Sequence, residues 1–197
     1  MSQAASLEYK VQLCESALSL RDMLAQFNLS HTAIIPSLWV EPQRSVTLTH
    51  EGPSTLKGQH LCTNDLTEYK SWIGCDDTTA PRDYWTLPSR PWKERYVEST
   101  DDLSPQELED LERAGWAYLF GNSAVVSSYR GLLEHLRAPF YATLYAVDSI
   151  HIASNAKLVV AGRNPAFLLC NELVIENGGQ LQIFTAFNAR INHLIKS

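Results

Sequence analysis

Long apolar runs, clustered cysteines and an excess of positive charge are all missing from this sequence of 197 residues. It has no run of about 18 apolar residues, so we expect no membrane-spanning helix. Its formal net charge of −6 argues against a general nucleic-acid binder, because no lysine-rich or arginine-rich face offsets repulsion from phosphate. The first residues also lack the basic region and apolar core of a secretory signal peptide. We therefore expect a cytoplasmic protein, or one released without a classical signal peptide.

The four cysteines form no metal or disulfide pattern. Cys14, Cys62, Cys75 and Cys170 are far apart and include no CxxC pair. This spacing is typical of reduced, mostly buried thiols, and a bridge between Cys62 and Cys75 is the alternative. No two of the six histidines have the i, i+4 or HxH spacing of a metal site. The sequence therefore predicts no metal and no cofactor.

Short catalytic motifs are missing as well, including GxSxG and the cysteine-protease signatures. The run Asn177-Gly178-Gly179 leads into a predicted strand, not into the helix N-terminus that a phosphate loop requires. Glu172 and Glu176 are a candidate carboxylate pair, but on one strand they would lie about 13 Å apart, too far to act together. We expect them to be ordinary solvated side chains. His50 and His60 flank a Gly-Pro turn and are expected to face one another. The sequence favours a non-catalytic protein over an enzyme, and no catalytic residue is assigned.

The last third of the sequence contains an apolar pattern that occurs twice. The pattern returns at a constant offset of 23 positions, and in each copy apolar residues alternate with others, as in strands with one buried face. Asn155 and Gly178 fall at equivalent places in the turns between the strands, and both residue types tolerate left-handed backbone. A constant offset is typical of consecutive coils of a β-solenoid, which pair in parallel about 4.8 Å apart. The matching residues are Ile150, Ile152, Leu158 and Val160 in the first copy, and Leu173, Ile175, Leu181 and Ile183 in the second.

The repeat extends beyond these two copies. Asp148 and Asn171 match as short polar turn residues. The alternative to a solenoid is an antiparallel hairpin with Asn177-Gly178-Gly179 as its tight turn, which leaves the constant offset as coincidence. The further matches are Leu144 and Ala146 with Phe167 and Leu169 at the same offset, and a partial copy at Ala189, Ile191 and Leu194, where the spacing from Leu173 becomes 21.

Two helices precede the repeat. Ser104 is a good N-cap, Glu107 closes a capping box with it, and the helix that they begin is predicted to end at Gly121. A second helix is predicted from about Ser123 until just before Pro139. We expect this helical hairpin to cap the first coil, whose edge would otherwise expose unpaired backbone groups.

The N-terminal part has weaker patterns. Helical spacing of apolar residues predicts an amphipathic helix from Ser6 to Phe27 on the outside of an apolar surface, with Ser6 as its N-cap. Short strands broken by prolines follow from Ile34 to Cys62. Among them, Val46 to Leu48 faintly echoes Ile150 to Ile152, which hints at an N-terminal coil docked on the solenoid.

Residues 63–103 form the least regular stretch, in which aromatic residues are interleaved with prolines. Prolines exclude long helices and central strands here, and a loop of this length is unusual in a compact domain. The rings either fasten the loop to the core or present a surface to a sugar or a protein partner. The candidate ligand-binding residues are Trp72, Tyr84, Trp85, Trp92 and Tyr96.

Together these patterns predict an α+β fold: an N-terminal helix and short strands, a helical hairpin, then a short C-terminal parallel β-solenoid of about three coils. Two regions are expected, residues 1–103 with the aromatic and proline-rich loop, and residues 104–197 with the hairpin and the solenoid, unless the chain is one integrated domain.

The leading functional prediction is a non-catalytic interaction or assembly protein. The last coil ends near Ser197 with no helix after it, so its edge needs another copy of the chain, a protein partner, or residues 34–62 returning to cover it. One alternative is a carbohydrate-binding or carbohydrate-cleaving protein that uses the loop 69–96 to hold a glycan. The other is a toxin or effector subunit acting at a membrane, which only the helical hairpin favours.

Overall fold

The computed structural model describes residues 11–13, 18–51, 56, 58–78 and 95–197. Over these residues the protein is mixed α/β, with nine strands and four α-helices. Packing divides the chain into two compact units, Met1–Leu61 with Ala142–Ser197, and Cys62–Tyr141. The boundary expected at residues 103 and 104 lies inside the second unit.

The strands form two sheets, ordered β1-β9-β7-β5-β2 and β3-β6-β8, and β4 also pairs with β5. The pairs β1–β9, β2–β5, β5–β7, β7–β9, β3–β6 and β6–β8 are all parallel. The strands are β1 (Val11–Leu13), β2 (Ile35–Val40), β3 (Ser45–Leu48), β4 (Gln59–Thr63), β5 (Phe140–Ile152), β6 (Lys157–Val160), β7 (Ala166–Ile175), β8 (Gln180–Ile183) and β9 (Phe187–Lys196).

The hairpin alternative is therefore wrong. The strands that flank Asn177-Gly178-Gly179, β7 and β8, belong to different sheets. Each of them pairs in parallel with a strand one copy away in the sequence, because that pairing stacks the apolar side chains of successive copies.

The pairing has the register that the repeat predicted. Ile150 lies beside Leu173, and Leu173 lies beside Leu194, so the partial third copy is confirmed despite its shorter spacing. In the second sheet Val160 lies beside Ile183. The inward side chains of both sheets form one apolar core, in which Ile150 and Val160 are fully buried. The matches at Leu144–Phe167 and Ala146–Leu169 are also paired.

Three turns of four residues link the two sheets and share one geometry. In each turn the N–H of the fourth residue donates to the carbonyl of the first, at 3.1, 3.0 and 2.8 Å. The third residue is left-handed each time, with φ of 59° at Gln43, 58° at Asn155 and 77° at Gly178. The predicted equivalence of Asn155 and Gly178 is confirmed, and Gln43 adds a third member. The turns are residues 41–44, 153–156 and 176–179.

The N-terminal strands join these same sheets. Val46 and Leu48 of β3 lie beside Leu158 and Val160, not in the positions of Ile150 and Ile152 that the sequence echo implied. Alternation alone does not fix register, so the echo matched the wrong strand. The edges of β5 and β6, which we expected the helical hairpin to cap, pair with β2 and β3.

The helix predicted from Ser6 to Phe27 is wrong at Val11–Leu13. Val11–Leu13 is a strand that pairs with Ala189–Ile191 of β9. An open sheet edge supplies hydrogen-bond partners for the backbone, whereas a short isolated helix is only marginally stable in water. Helix α1 (Leu20–Gln26) begins only after Ser19, which forms a capping box with Asp22. Residues 1–10 and 14–17 lie outside the described residues.

Helix α1 covers the outer face of the larger sheet, as an amphipathic helix should. Its side chains Leu20, Met23 and Leu24 are buried. The ring of Phe27, which follows the helix, packs edge-on against Phe167 of β7 with centroids 5.1 Å apart. The expected contact of this segment with an apolar surface is confirmed.

The second unit contains the remaining helices. Helix α3 (Pro105–Phe120) begins at the predicted capping box of Ser104 and Glu107 and ends at Gly121. The helix expected from Ser123 starts instead as a 3₁₀ helix (Ser123–Tyr129) with a kink and becomes helix α4 (Arg130–Arg137). Helix α2 (Leu66–Ile73), capped by Asp65, lies in the stretch that we expected to be irregular. A short 3₁₀ helix at Thr100–Asp102 lies there too.

Candidate functional site

An exposed tryptophan at the edge of the larger sheet is the clearest candidate for a binding residue. Alternation along β2 turns Leu38 and Val40 inward and Trp39 outward. The Trp39 side chain is 56% exposed. Its neighbour in register is His151 of β5, and the two rings lie 3.9 Å apart between centroids, tilted by 39°.

His151 is itself held by a carboxylate from the next turn. Its Nε2 lies 2.6 Å from Oε1 of Glu176, and Oε2 of Glu176 accepts hydrogen bonds from the backbone N–H and the hydroxyl of Ser154, at 2.8 and 2.9 Å. The hydrogen bond from His151, followed by those from Ser154, lowers the pKa of Glu176 below its ordinary value. An ionised carboxylate only accepts, so Nε2 of His151 carries the proton. The expectation that Glu176 is an ordinary solvated side chain is wrong.

The order of these groups determines what chemistry they support. A nucleophilic triad places the imidazole between hydroxyl and carboxylate, so that it can take the hydroxyl proton. Here the carboxylate of Glu176 lies between Ser154 and His151, and the Ser154 hydroxyl donates to it. The cluster is therefore arranged to fix the ring of His151, and through it the indole of Trp39, and not to activate a nucleophile.

Two rows of outward side chains cross the four strands β2, β5, β7 and β9, and we call this surface the Trp39 facet. One row contains the aromatic pair and continues into apolar residues, and the other is polar. Neighbouring side chains in a row are one strand apart, about 4.8 Å. The rows are Trp39, His151, Val174 and Ile195, and Ser37, Ser149, Glu172 and His193.

Two of the residues predicted to bind a ligand, Trp72 and Tyr96, are described by the structure and differ in exposure. Trp72 is only 3% exposed and lies in α2, with Tyr69 as an aromatic neighbour at 6.4 Å. Tyr96 is 82% exposed, with its ring 6.4 Å from that of His135. Tyr84, Trp85 and Trp92 lie outside the described residues, so the aromatic-loop site stays a prediction.

Sequence reasoning missed Trp39, although its position between two inward apolar residues marks an outward ring on a strand. It also missed the link from His151 to Glu176. The two residues belong to successive copies of the repeat, and a side-chain bond between copies leaves no periodic trace in the sequence.

The expected facing of His50 and His60 is confirmed, with ring centroids 5.8 Å apart and planes nearly perpendicular. Nε2 of His50 lies 3.5 Å from Oε1 of Glu51, which also meets Arg163 at 3.4 Å. No group of three or more His, Cys, Asp or Glu side chains in the described part of the chain is placed to hold a metal ion. The Cys62–Cys75 bridge is wrong, since both thiols are free.

A second candidate surface is the outer edge of β8. Within the described residues, β8 pairs with β6 on one side and with no strand on the other. Leu181 and Ile183 of this strand, and Leu194 of β9, pack against the core but are only partly buried. The last layer of the core is thus incompletely covered at this edge by the described residues.

No protein-family model, no curated protein and no solved structure matches this chain. None of the helices in the described ranges combines the length and the apolar character needed to cross a lipid bilayer.

Proposed function

We propose that this chain is a non-catalytic interaction protein built on a short β-solenoid, and that it associates with a second copy of itself. The solenoid is supported by the constant register of successive parallel strands and by the three turns of equal geometry. A polar contact between neighbouring strands supports it too: the amide of Asn192 in β9 donates to Oδ1 of Asn171 in β7 at 3.1 Å and to the carbonyl of Leu18 at 2.7 Å.

A binding function is favoured over catalysis by the use made of the polar groups. The cluster of Ser154, Glu176 and His151 holds an aromatic ring in place. Proteins that act by contact need rigid surfaces more than they need activated side chains.

The observation that carries self-association is the outer edge of β8. No strand in the described ranges pairs with this edge, which also carries the partly buried Leu181 and Ile183, and this combination favours pairing with another chain. Natural edge strands are usually protected by lysine or proline, and Gln180–Ile183 contains neither. A second copy supplies the same sequence and needs no other partner.

Size-exclusion chromatography with light scattering tests this proposal over a range of protein concentrations. The wild type is expected to have a mass at least twice that of one chain. Gln182→Lys places a charge on the edge strand and is expected to shift the protein toward the monomer. Gln106→Lys makes the same chemical change on the exposed start of α3 and is expected to leave the mass unchanged.

Ile183→Lys is a stronger variant, since it places the charge where an apolar side chain meets the core. Its thermal unfolding is followed by circular dichroism, so that loss of association is separated from loss of fold. A wild type that stays monomeric at every concentration contradicts the proposal, and so does a Gln182→Lys protein that associates as well as Gln106→Lys.

A further inference from the structure

The Trp39 facet combines exposure with rigidity, two properties that rarely occur together for a large aromatic side chain. More than half of the Trp39 side chain is open to solvent, yet its ring lies against that of His151, with centroids 3.9 Å apart. His151 is fixed by Glu176, and Glu176 by two donors from Ser154. A ligand that stacks on this indole finds it already ordered and pays little conformational entropy for it.

Polar groups lie beside the ring at regular intervals. Ser37, Ser149, Glu172 and His193 form a row that runs across the strands next to the row of Trp39. Hydroxyl and imidazole groups can donate and accept hydrogen bonds, and an ionised carboxylate accepts them. A flat ring next to a row of such groups suits a ligand with one apolar face and many hydroxyls on its rim.

The negative charge of the facet disfavours some of the ligand classes that bind to an exposed tryptophan. Glu172 and Glu176 lie on it or at its border, and Glu176 is held ionised by its donors. Phosphate and sulfate groups would be repelled, which disfavours nucleic acids and acidic glycans. A purely apolar partner would have to desolvate the Glu172 carboxylate without pairing it, which is costly.

We propose that the Trp39 facet is a binding site for a neutral oligosaccharide. The C–H face of one sugar ring packs on the open face of the Trp39 indole. Its hydroxyls, and those of the next sugar units, bond to the row from Ser37 to His193, with Glu172 as an acceptor. This site is separate from the β8 edge, so each proposal can fail without the other.

An array of immobilised glycans tests the site with the full-length protein, carrying neutral gluco-, manno-, xylo- and N-acetylglucosamine oligosaccharides beside uronate-containing and sulfated ones. The wild type is expected to bind at least one neutral series and to bind the acidic ones less. Titration of the best neutral oligosaccharide then gives the affinity of each variant.

The variants show whether loss of binding is specific to the Trp39 indole or follows from removing any exposed tryptophan. Trp39→Ala is expected to weaken binding at least tenfold, and Trp39→Phe less, because a smaller ring remains. Glu172→Gln, which keeps the shape of the side chain, is expected to weaken it severalfold. Trp116→Ala removes another exposed indole, 40% exposed on α3, and is expected to leave binding unchanged.

Four outcomes would overturn the proposal. They are a wild type that binds no neutral glycan, binding restricted to acidic glycans, a Trp39→Ala protein that is folded and binds normally, and equal losses in Trp39→Ala and Trp116→Ala. The indole N–H resonance of Trp39 in an NMR spectrum, assigned by its disappearance in Trp39→Phe, gives an independent readout. It must shift when the neutral oligosaccharide is added, and an unmoved resonance contradicts stacking.

Discussion

Asn155 and Gly178 lie in contact in adjacent turns, so close that a Cβ added to Gly178 would lie 2.6 Å from Oδ1 of Asn155. Both residues have left-handed backbone. Glycine is therefore required at position 178 for two reasons. The left-handed backbone disfavours residues with a Cβ, and the Asn155 side chain occupies the space that a Cβ would need.

Gly178→Ala is expected to lower the free energy of unfolding by about 1 to 2 kcal/mol, because alanine disfavours left-handed backbone and its Cβ meets the Asn155 side chain. Chemical denaturation measures the change. Gly131→Ala is the matched control: it lies in α4, where an added Cβ meets nothing within 4 Å, and it is expected to stabilise by about 0.5 kcal/mol. Equal effects of the two substitutions would show that the turn does not require glycine.

Glu176 is expected to make stability depend on acid pH. Its pKa is lowered in the folded protein from the ordinary 4.5, mainly by the hydrogen bond from His151. A depressed carboxyl pKa contributes stability above its unfolded value, and that contribution is lost as pH falls through the folded pKa. Glu176→Gln should therefore have a lower melting temperature than the wild type at pH 7. The difference between the two melting temperatures should become smaller below about pH 4.

The exposed Glu98 supplies the control for this measurement. Glu98→Gln is expected to melt with the wild type across the whole pH range. If the melting temperature of Glu176→Gln stays below that of the wild type by the same amount down to acid pH, the charge of the Glu176 carboxylate does not contribute to stability.

Lys70 is expected to be essential for the stability of the second unit. Its buried ammonium donates to the carbonyls of Tyr118 and Gly121 at 2.6 and 2.8 Å, and meets Asp77 at 2.9 Å. Lys70→Met removes the donor from two carbonyls at the end of α3, and we expect a loss of about 2 to 4 kcal/mol in the free energy of unfolding.

An exposed ion pair provides the comparison for Lys70. Arg113→Met removes the partner of Glu109 on the surface of α3 and is expected to change stability by less than about 0.5 kcal/mol. Both variants are measured by guanidinium denaturation. Similar losses in the free energy of unfolding for the two variants would indicate that the buried Lys70 ammonium stabilises the protein no more than an exposed ion pair does.

The cysteines are expected to differ sharply in reactivity. Cys62 is exposed, whereas Cys170 is buried in the core, and its burial raises the thiol pKa to about 12. Native protein treated with iodoacetamide and analysed by mass spectrometry should carry the label at Cys62, with Cys170 labelled only after denaturation. Rapid labelling of native Cys170 would indicate that the core opens locally.

The apolar columns and the turns between them could be predicted from sequence, because both follow from a repeat of fixed spacing. Leu173 and Leu194 pair as expected even where the spacing shortens. The capping box at Ser104 could also be predicted, because Ser104 and Glu107 are only three residues apart in the sequence. Local patterns and constant offsets are visible in one sequence.

What sequence could not supply was pairing between distant segments. The apolar spacing before Phe27 predicted helix α1, but it also predicted a helix at Val11–Leu13, which pairs with the edge of β9 as strand β1. The link between His151 and Glu176 likewise depends on how two turns stack. Trp39 became a candidate only once β2 was placed beside β5.

The placement of β2 has a consequence for synthesis of the chain. Leu38 pairs with Ile150, so β2 leaves the ribosome long before its neighbour has been translated. Residues 62–141, which form their own compact unit, emerge in between and can fold first. Strand β2 therefore stays without the neighbour it pairs with until Phe140–Ile152 has been synthesised.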